Sequence, residues 1–264
     1  MKRLLSFSVL CCAMAIAPYA HGQITFGDTL ATVEGNGGGE GNTLGDFTNT
    51  VFTVYNESVI TAAGINPGDV LTGLAFRVDG GNSAPNFTAI DYRIDLGRSI
   101  NSAGNLVDIF ADNADSNGLI SVRTGPLDFV AADYEAVNPN NSTGTANAFG
   151  PEIEFENDFA YTGGDLLIRY YTSTPLALGG VLTTSRADSV STTFETPDFS
   201  ETGVFTLFGE GQDANTRFTQ GFGAAPTSAP VLQFSVTPAI PEPTSAALLM
   251  GLGLIGVARR RRTM

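Results

Sequence analysis

The sequence predicts an all-β fold: an antiparallel two-sheet sandwich, jelly-roll-like in layout. Three observations carry that expectation. Several segments alternate apolar and polar residues with a period of two, the pattern of strands with one dry face. Short clusters of Gly, Asn, Asp, Ser and Pro punctuate them as turns. Away from the two chain ends, no segment sustains an apolar stripe at the helical period of 3.6. Many half-apolar strands are best buried by packing two sheets face to face.

Taken in order, the alternation is as follows. Val70 to Val78 places Leu74, Phe76 and Val78 on one face. Ala89 to Leu96 places Ile90, Tyr92, Ile94 and Leu96 on one side and Asp91, Arg93 and Asp95 on the other. That second set reads as surface salt bridging, which contributes little. In Glu152 to Glu156, Ile153 and Phe155 face in and the three glutamates face out. Asp165 to Thr172 carries Leu166, Ile168 and Tyr170, and Val231 to Val236 carries Leu232, Phe234 and Val236. Further strands are expected at Ile24 to Val33, Phe52 to Ile60, Leu119 to Arg123, Val181 to Ser185, Val204 to Phe208 and Arg217 to Phe222. Glu34 to Gly45, Val137 to Ala148 and Gly221 to Pro230 read as loops or linkers, and Thr237 to Ile240 as a short spacer.

The ends read differently. Lys2 and Arg3 precede an apolar run from Leu4 to Ala17, then Pro18, Tyr19, Ala20, His21 and Gly22, the layout of a secretory signal peptide. Cleavage after Gly22 puts Ala20 and Gly22 at the two small-residue positions. The expected parts are a signal peptide at 1–22, a sandwich body at 23–237, and a linker with a terminal signal at 238–264. That signal comprises Pro241-Glu242-Pro243, an apolar helix over 244–258 and the cluster Arg259, Arg260, Arg261 and Arg262. The helix offers 15 residues, about 22 Å at a rise of ~1.5 Å per residue, so it is a short membrane stop with a cationic clamp on the cytoplasmic side.

Splitting the chain this way sharpens its chemistry. Both cysteines, the histidine and the lysine lie within the first 21 residues. The body from 23 to 240 holds 26 acidic residues against 7 arginines, a balance of −19, and no Cys, His, Lys or Trp. Cys- or His-based nucleophilic catalysis, a Cys/His metal site, a Lys Schiff base and a disulfide are all excluded there. So acidic a body also argues against nucleic acid, which needs Lys and Arg to neutralise phosphate.

The order Pro-Glu-Pro, short Gly-containing apolar helix, Arg cluster and chain end resembles the PEP-CTERM sorting signal. In that family the signal is read by exosortase, a membrane-embedded enzyme of double-membraned, exopolysaccharide-producing bacteria. The resemblance implies that Pro241, Glu242 and Pro243 are recognition residues and that Arg259 to Arg262 stop the chain in the membrane. It implies signal peptidase and exosortase as partners, with a transient inner-membrane anchor and then the outer surface or extracellular matrix. The body is loosely similar to other PEP-CTERM proteins in VLTGLAFRVD, DIFADNADSNG and FAYTGGDLLIRYY.

Within the body, Asn113, Asp115 and Asn117, followed by Gly118, resemble the first half of a calcium loop. Asn113 replaces the usual first Asp, and position twelve would be Thr124 where a bidentate Glu belongs. The preferred reading is an Asx-rich turn, so no cofactor is expected. Glu152, Glu154, Glu156 and Asp158 form the densest acid run. Alternate carboxylates on a strand stand about 6.6 Å apart, a spacing that suits either an inverting glycosidase or a solvated face.

The expected role is an exported, non-catalytic surface or matrix protein, structural, adhesive or exopolysaccharide-associated. The alternatives are a carbohydrate-binding module using Tyr92, Tyr170 or Tyr171, and a carboxylate-only glycoside hydrolase.

Overall fold

A computed structural model describes residues 22–26, 32–35, 49–80, 82–107, 109–135, 145–173, 175–178, 187–191, 204–209 and 228–239. The expected strands at 181–185 and 217–222 lie outside these residues, as do the signal-peptide residues 1–21 and the terminal signal from 240 onward.

Within the described residues the chain is predominantly β, and its strands pair antiparallel. The first sheet takes the order β1 (Gly22–Thr25), β14 (Leu232–Thr237), β3 (Val70–Phe76) and β8 (Ile153–Ala160). The second takes the order β12 (Val204–Gly209), β2 (Asn49–Tyr55), β9 (Leu166–Thr172), β5 (Tyr92–Arg98) and β6 (Ile120–Arg123). Two smaller sheets join β10 (Pro175–Ala177), β4 (Phe87–Ala89) and β7 (Leu127–Phe129), and β11 (Ser189–Ser191) with β13 (Ser228–Pro230).

The inward faces match the alternation in the sequence. Leu74, Phe76 and Val78, then Tyr92, Ile94 and Leu96, then Leu166, Ile168 and Tyr170, and finally Leu232, Phe234 and Val236 are all buried. With Phe26, Val51, Tyr55 and Phe129 they form one apolar cluster to which both large sheets contribute. Aromatic pairs stitch it: Phe26 lies tilted against Tyr55 at 4.6 Å, and Phe76 meets Tyr170 edge-on at 5.5 Å. Tyr55 and Tyr92 are fully enclosed, and burial raises both phenols well above their ordinary range.

Four expectations need correction. Ile90 sits at the bend between β4 and β5 and is exposed, because the strand breaks there and the alternation does not run through it. The segment from Phe52 to Ile60 ends its strand at Tyr55 and continues as a one-turn helix, α1 (Glu57–Ala62). Asn56 holds an extended backbone before it, and Ile60 is the residue α1 buries. The expected linker 221–230 finishes as strand β13, paired with β11. Finally, the second sheet is not dry on one side only.

On the far side of that sheet Phe52, Val54, Leu167 and Phe110 make a second small core, with Leu106, Ala114 and Leu119 against it. The segment after β5 covers this face, which is why every residue of β9 is buried. Asp95 and Arg169 therefore sit under cover. Arg169 Nε donates to Asp95 Oδ2 at 2.6 Å, Arg93 Nε to Asp95 Oδ1 at 2.8 Å and Ser121 Oγ to Asp95 Oδ1 at 2.6 Å. The Arg169 guanidinium also lies 4.7 Å from the Phe110 ring centroid.

Strand β8 has a break in its register. Leu71 faces Phe159, but Gly73 faces Glu154, so Thr72 alone spans the interval from Phe155 to Asp158. Such a bulge bends a strand away from its sheet. Here the displaced residues reach β6, the edge of the other sheet. Asn157 Nδ2 donates to the Ser121 carbonyl at 3.1 Å, and Arg123 Nη1 donates to Glu156 Oε1 at 3.0 Å. One side of the body is thereby closed by a strand that serves both sheets.

Candidate functional site

The most developed site in the described residues is where the chain leaves the body. Strand β14 ends at Thr237, and Pro238 and Ala239 follow it back onto the fold. Residues Asn66 to Asp69 form a tight turn there: the Asp69 N–H donates to the Asn66 carbonyl at 3.0 Å, and the Asn66 N–H to Asp69 Oδ2 at 2.7 Å. Two backbone bonds pin the turn to Tyr161, from the Gly68 N–H to the Tyr161 carbonyl at 2.7 Å and from the Tyr161 N–H to the Asp69 carbonyl at 2.8 Å. The remaining carboxylate oxygen of Asp69 accepts the Ala239 N–H at 2.8 Å. Asp69 is buried. Gly68 adopts φ +99°, and a Cβ there would come within 3.1 Å of the Ala239 methyl. Glycine is thus required both by the backbone and by the close approach of the departing chain.

The other end of the body lies alongside. Gly22, the first residue of β1, pairs with Val236 of β14. Ala20 lies outside the described residues, as do Pro241, Glu242, Pro243 and Arg259 to Arg262. Cleavage after Gly22 would leave Gln23 to open the strand. Among the described residues, no helix is long and apolar enough to cross a membrane.

A second constellation is one the sequence reading missed. Arg77, on the residue after β3, is fully buried. Its Nε donates to Asp188 Oδ2 at 2.6 Å, its Nη2 donates to the Val33 carbonyl at 2.7 Å, and its guanidinium lies 5.3 Å from the Phe149 ring centroid. Asp188, also fully buried, accepts the Gly35 N–H at 3.0 Å as well. Around this pair Glu34, Asp79 and Asp188 bring carboxylate oxygens within 4.8 Å of one another. Glu34 accepts the Gly80 N–H at 2.5 Å. Its carboxyl is held above the ordinary range, first by burial and further by the Asp188 charge, against the lowering pull of Gly80 and Arg77. Oxygen donors of this kind suit a hard cation, and this is the set of three among the described residues that could offer them. Two of the oxygens on Asp188 already receive Arg77 and Gly35. The cluster is invisible to spacing rules because its members lie far apart in the chain.

The turn at Asn113 is built from protein hydrogen bonds. Asn113 is fully buried. Its amide donates to the Val107 and Ile109 carbonyls at 2.8 and 3.0 Å, and its Oδ1 accepts from the Val107 N–H and Asn101 Nδ2 at 2.9 and 3.1 Å. Asp115 Oδ1 accepts the Asn117 N–H at 2.9 Å, and Gly118 closes the turn with φ +73°. Asn113 therefore points into the protein, while Asp115 and Asn117 bond each other: the geometry of an Asx turn. Asn113→Ala is expected to lower stability by about 2–3 kcal/mol, since it strands several buried backbone groups, and Asp115→Ala by less than about 1 kcal/mol. The melting temperature should be the same in calcium and in chelator. A calcium-dependent rise that Asp115→Ala abolishes would put a cation in this turn.

The acid run on β8 faces outward. Glu152, Glu154, Glu156 and Asp158 are exposed. Glu152, Glu154 and Asp158 line a shallow groove with Thr72, Phe155 and Ser235. Glu156 is lowered below the ordinary carboxylate range by its hydrogen bonds from Thr124 and Arg123. Of the tyrosines, Tyr92, Tyr170 and Tyr171 are all buried, so none offers a stacking surface.

No curated protein and no solved structure matches this chain. A family model described as the PEP-CTERM protein-sorting motif matches residues 239–262, beginning on the very alanine that Asp69 holds, so the chain carries a PEP-CTERM sorting motif.

Proposed function

We propose that this protein is a non-catalytic component of the cell surface or extracellular matrix, delivered there by exosortase as a two-sheet, jelly-roll-like sandwich. The observation that carries the reading is the sorting motif at 239–262, joined directly to the last strand of an antiparallel body. The motif marks export, processing by exosortase and a transient membrane anchor. The proposed order is removal of residues 1–22 by signal peptidase, retention through 244–258 with Arg259 to Arg262 inside, then release.

Two features support a structural or polysaccharide-associated role. The shared core of the two large sheets supports a sandwich. The outward acids of β8, in a body of charge −19, favour solubility and bridging to anionic polymer through divalent cations. A carbohydrate-binding module loses its named aromatic platform with Tyr92, Tyr170 and Tyr171 buried. A carboxylate-only hydrolase needs two acids in different environments, one of them kept protonated, and the β8 acids share one exposed face.

Replacing Pro241-Glu242-Pro243 by alanines in the full chain tests the sorting claim. Unprocessed protein should accumulate in the inner membrane and surface delivery should cease. Normal processing of the alanine variant would sink it.

A further inference from the structure

The family match begins at Ala239, and Ala239 is not free of the body. Its N–H is bonded to Asp69 at 2.8 Å, and its methyl packs over Gly68. Only Ile240 separates that bond from Pro241. Covalent geometry allows at most about 3.6 Å per residue, so Pro241 stands within roughly 7 Å of the docked alanine. A membrane-embedded enzyme that reads Pro241 to Pro243 must receive this stretch with a folded body immediately behind it.

We propose that Asp69 is a positioning residue for sorting: its carboxylate clasps the Ala239 amide, and the clasp opens before the processing enzyme can engage the tripeptide. The inference rests on the sorting reading above. Three observations bear on it. Asp69 is buried and makes no ion pair among the described residues: one oxygen holds its own turn through Asn66 and the other holds the departing chain. A carboxylate accepting backbone N–H groups makes the stronger, charge-assisted kind of bond. The turn that presents it is anchored to Tyr161 by two backbone bonds, so the clasp is fixed to the sheet and does not travel with the tail. Opening it frees Pro238 and Ala239, two residues or about 7 Å of reach.

The test follows precursor and mature full-length protein by gel mobility after a pulse of synthesis, in a host carrying the processing enzyme. Asp69→Ala should be processed about tenfold faster, the population factor of one charge-assisted hydrogen bond. A four-residue Gly-Ser insertion between Ala239 and Ile240 leaves the body untouched and should give the same acceleration. Adding Asp69→Ala to the insertion should then change nothing further. Equal or slower processing of both single variants overturns the proposal. So does a further rise in the combined variant, because Asp69→Ala would then be acting by loosening the fold. The Pro241-Glu242-Pro243 alanine variant, run alongside, must remain unprocessed; if it is processed, the sorting reading itself fails and the clasp is not what was measured.

Discussion

Asp188→Ala is expected to lower the stability of the body by about 3–5 kcal/mol, the usual consequence of breaking a buried ion pair by removing one partner. In a domain of this size that corresponds to a fall in melting temperature of about 6–20 °C. Arg77 and Asp188 both have fully buried side chains. The guanidinium would lose its bonds to Asp188 while still enclosed by the Val33 carbonyl and the Phe149 ring. The pair also ties together four stretches that are remote in sequence. Isolated bridges join Arg77 to Phe149, Val78 to Ala187 and Val33 to Thr145, and Asp188 receives Gly35. The double variant Arg77→Met with Asp188→Leu removes both charges and should recover most of the loss. Thermal denaturation of the three proteins decides the matter. An Asp188→Ala protein that melts with the wild type would show that the pair holds nothing together.

Asp95→Ala should have an effect of similar size, about 3–5 kcal/mol, through a different part of the molecule. Asp95 accepts from Arg169, Arg93 and Ser121, and its side chain is fully buried. Arg169 would be left beneath Phe110 with its main counter-charge gone, whereas Arg93 is partly exposed and can turn to water. Arg93→Ala should therefore be mild, within about 1 kcal/mol. Chemical denaturation of both variants checks the ranking. If Arg93→Ala were the more damaging, the exposed pair and not the buried one would be holding the sheet.

Much of the fold was legible because its signal is local. Leu74, Phe76 and Val78 declare their face through their own spacing, and so do Leu232, Phe234 and Val236. Asp95 was misread as a surface residue for the same reason. Alternation reports that it points away from Ile94 and Leu96, but not that Leu106, Phe110, Ala114 and Leu119 pack over that side. Arg77 and Asp188 sit 111 positions apart, and no rule of spacing reaches that far. Nor does any hydropathy pattern distinguish Asp69, which earns its role from a carboxylate oxygen facing a residue 170 positions away. The sorting signal was fully legible, since its recognition lies in a contiguous string.

The pairing of Gln23, Ile24 and Thr25 with β14 has a bearing on the order in which the molecule is made. Strand β14 lies between β1 and β3, so it is an interior strand of its sheet as well as the last strand among the described residues. Until it arrives, β1 has nothing to pair with and β3 has one neighbour missing. The first sheet therefore cannot close during synthesis. On the proposed export route it closes only when β14 has crossed the membrane. On that route the sheet is completed as the terminal signal reaches the bilayer, so a chain truncated before β14 would lack both the finished sheet and the sorting motif.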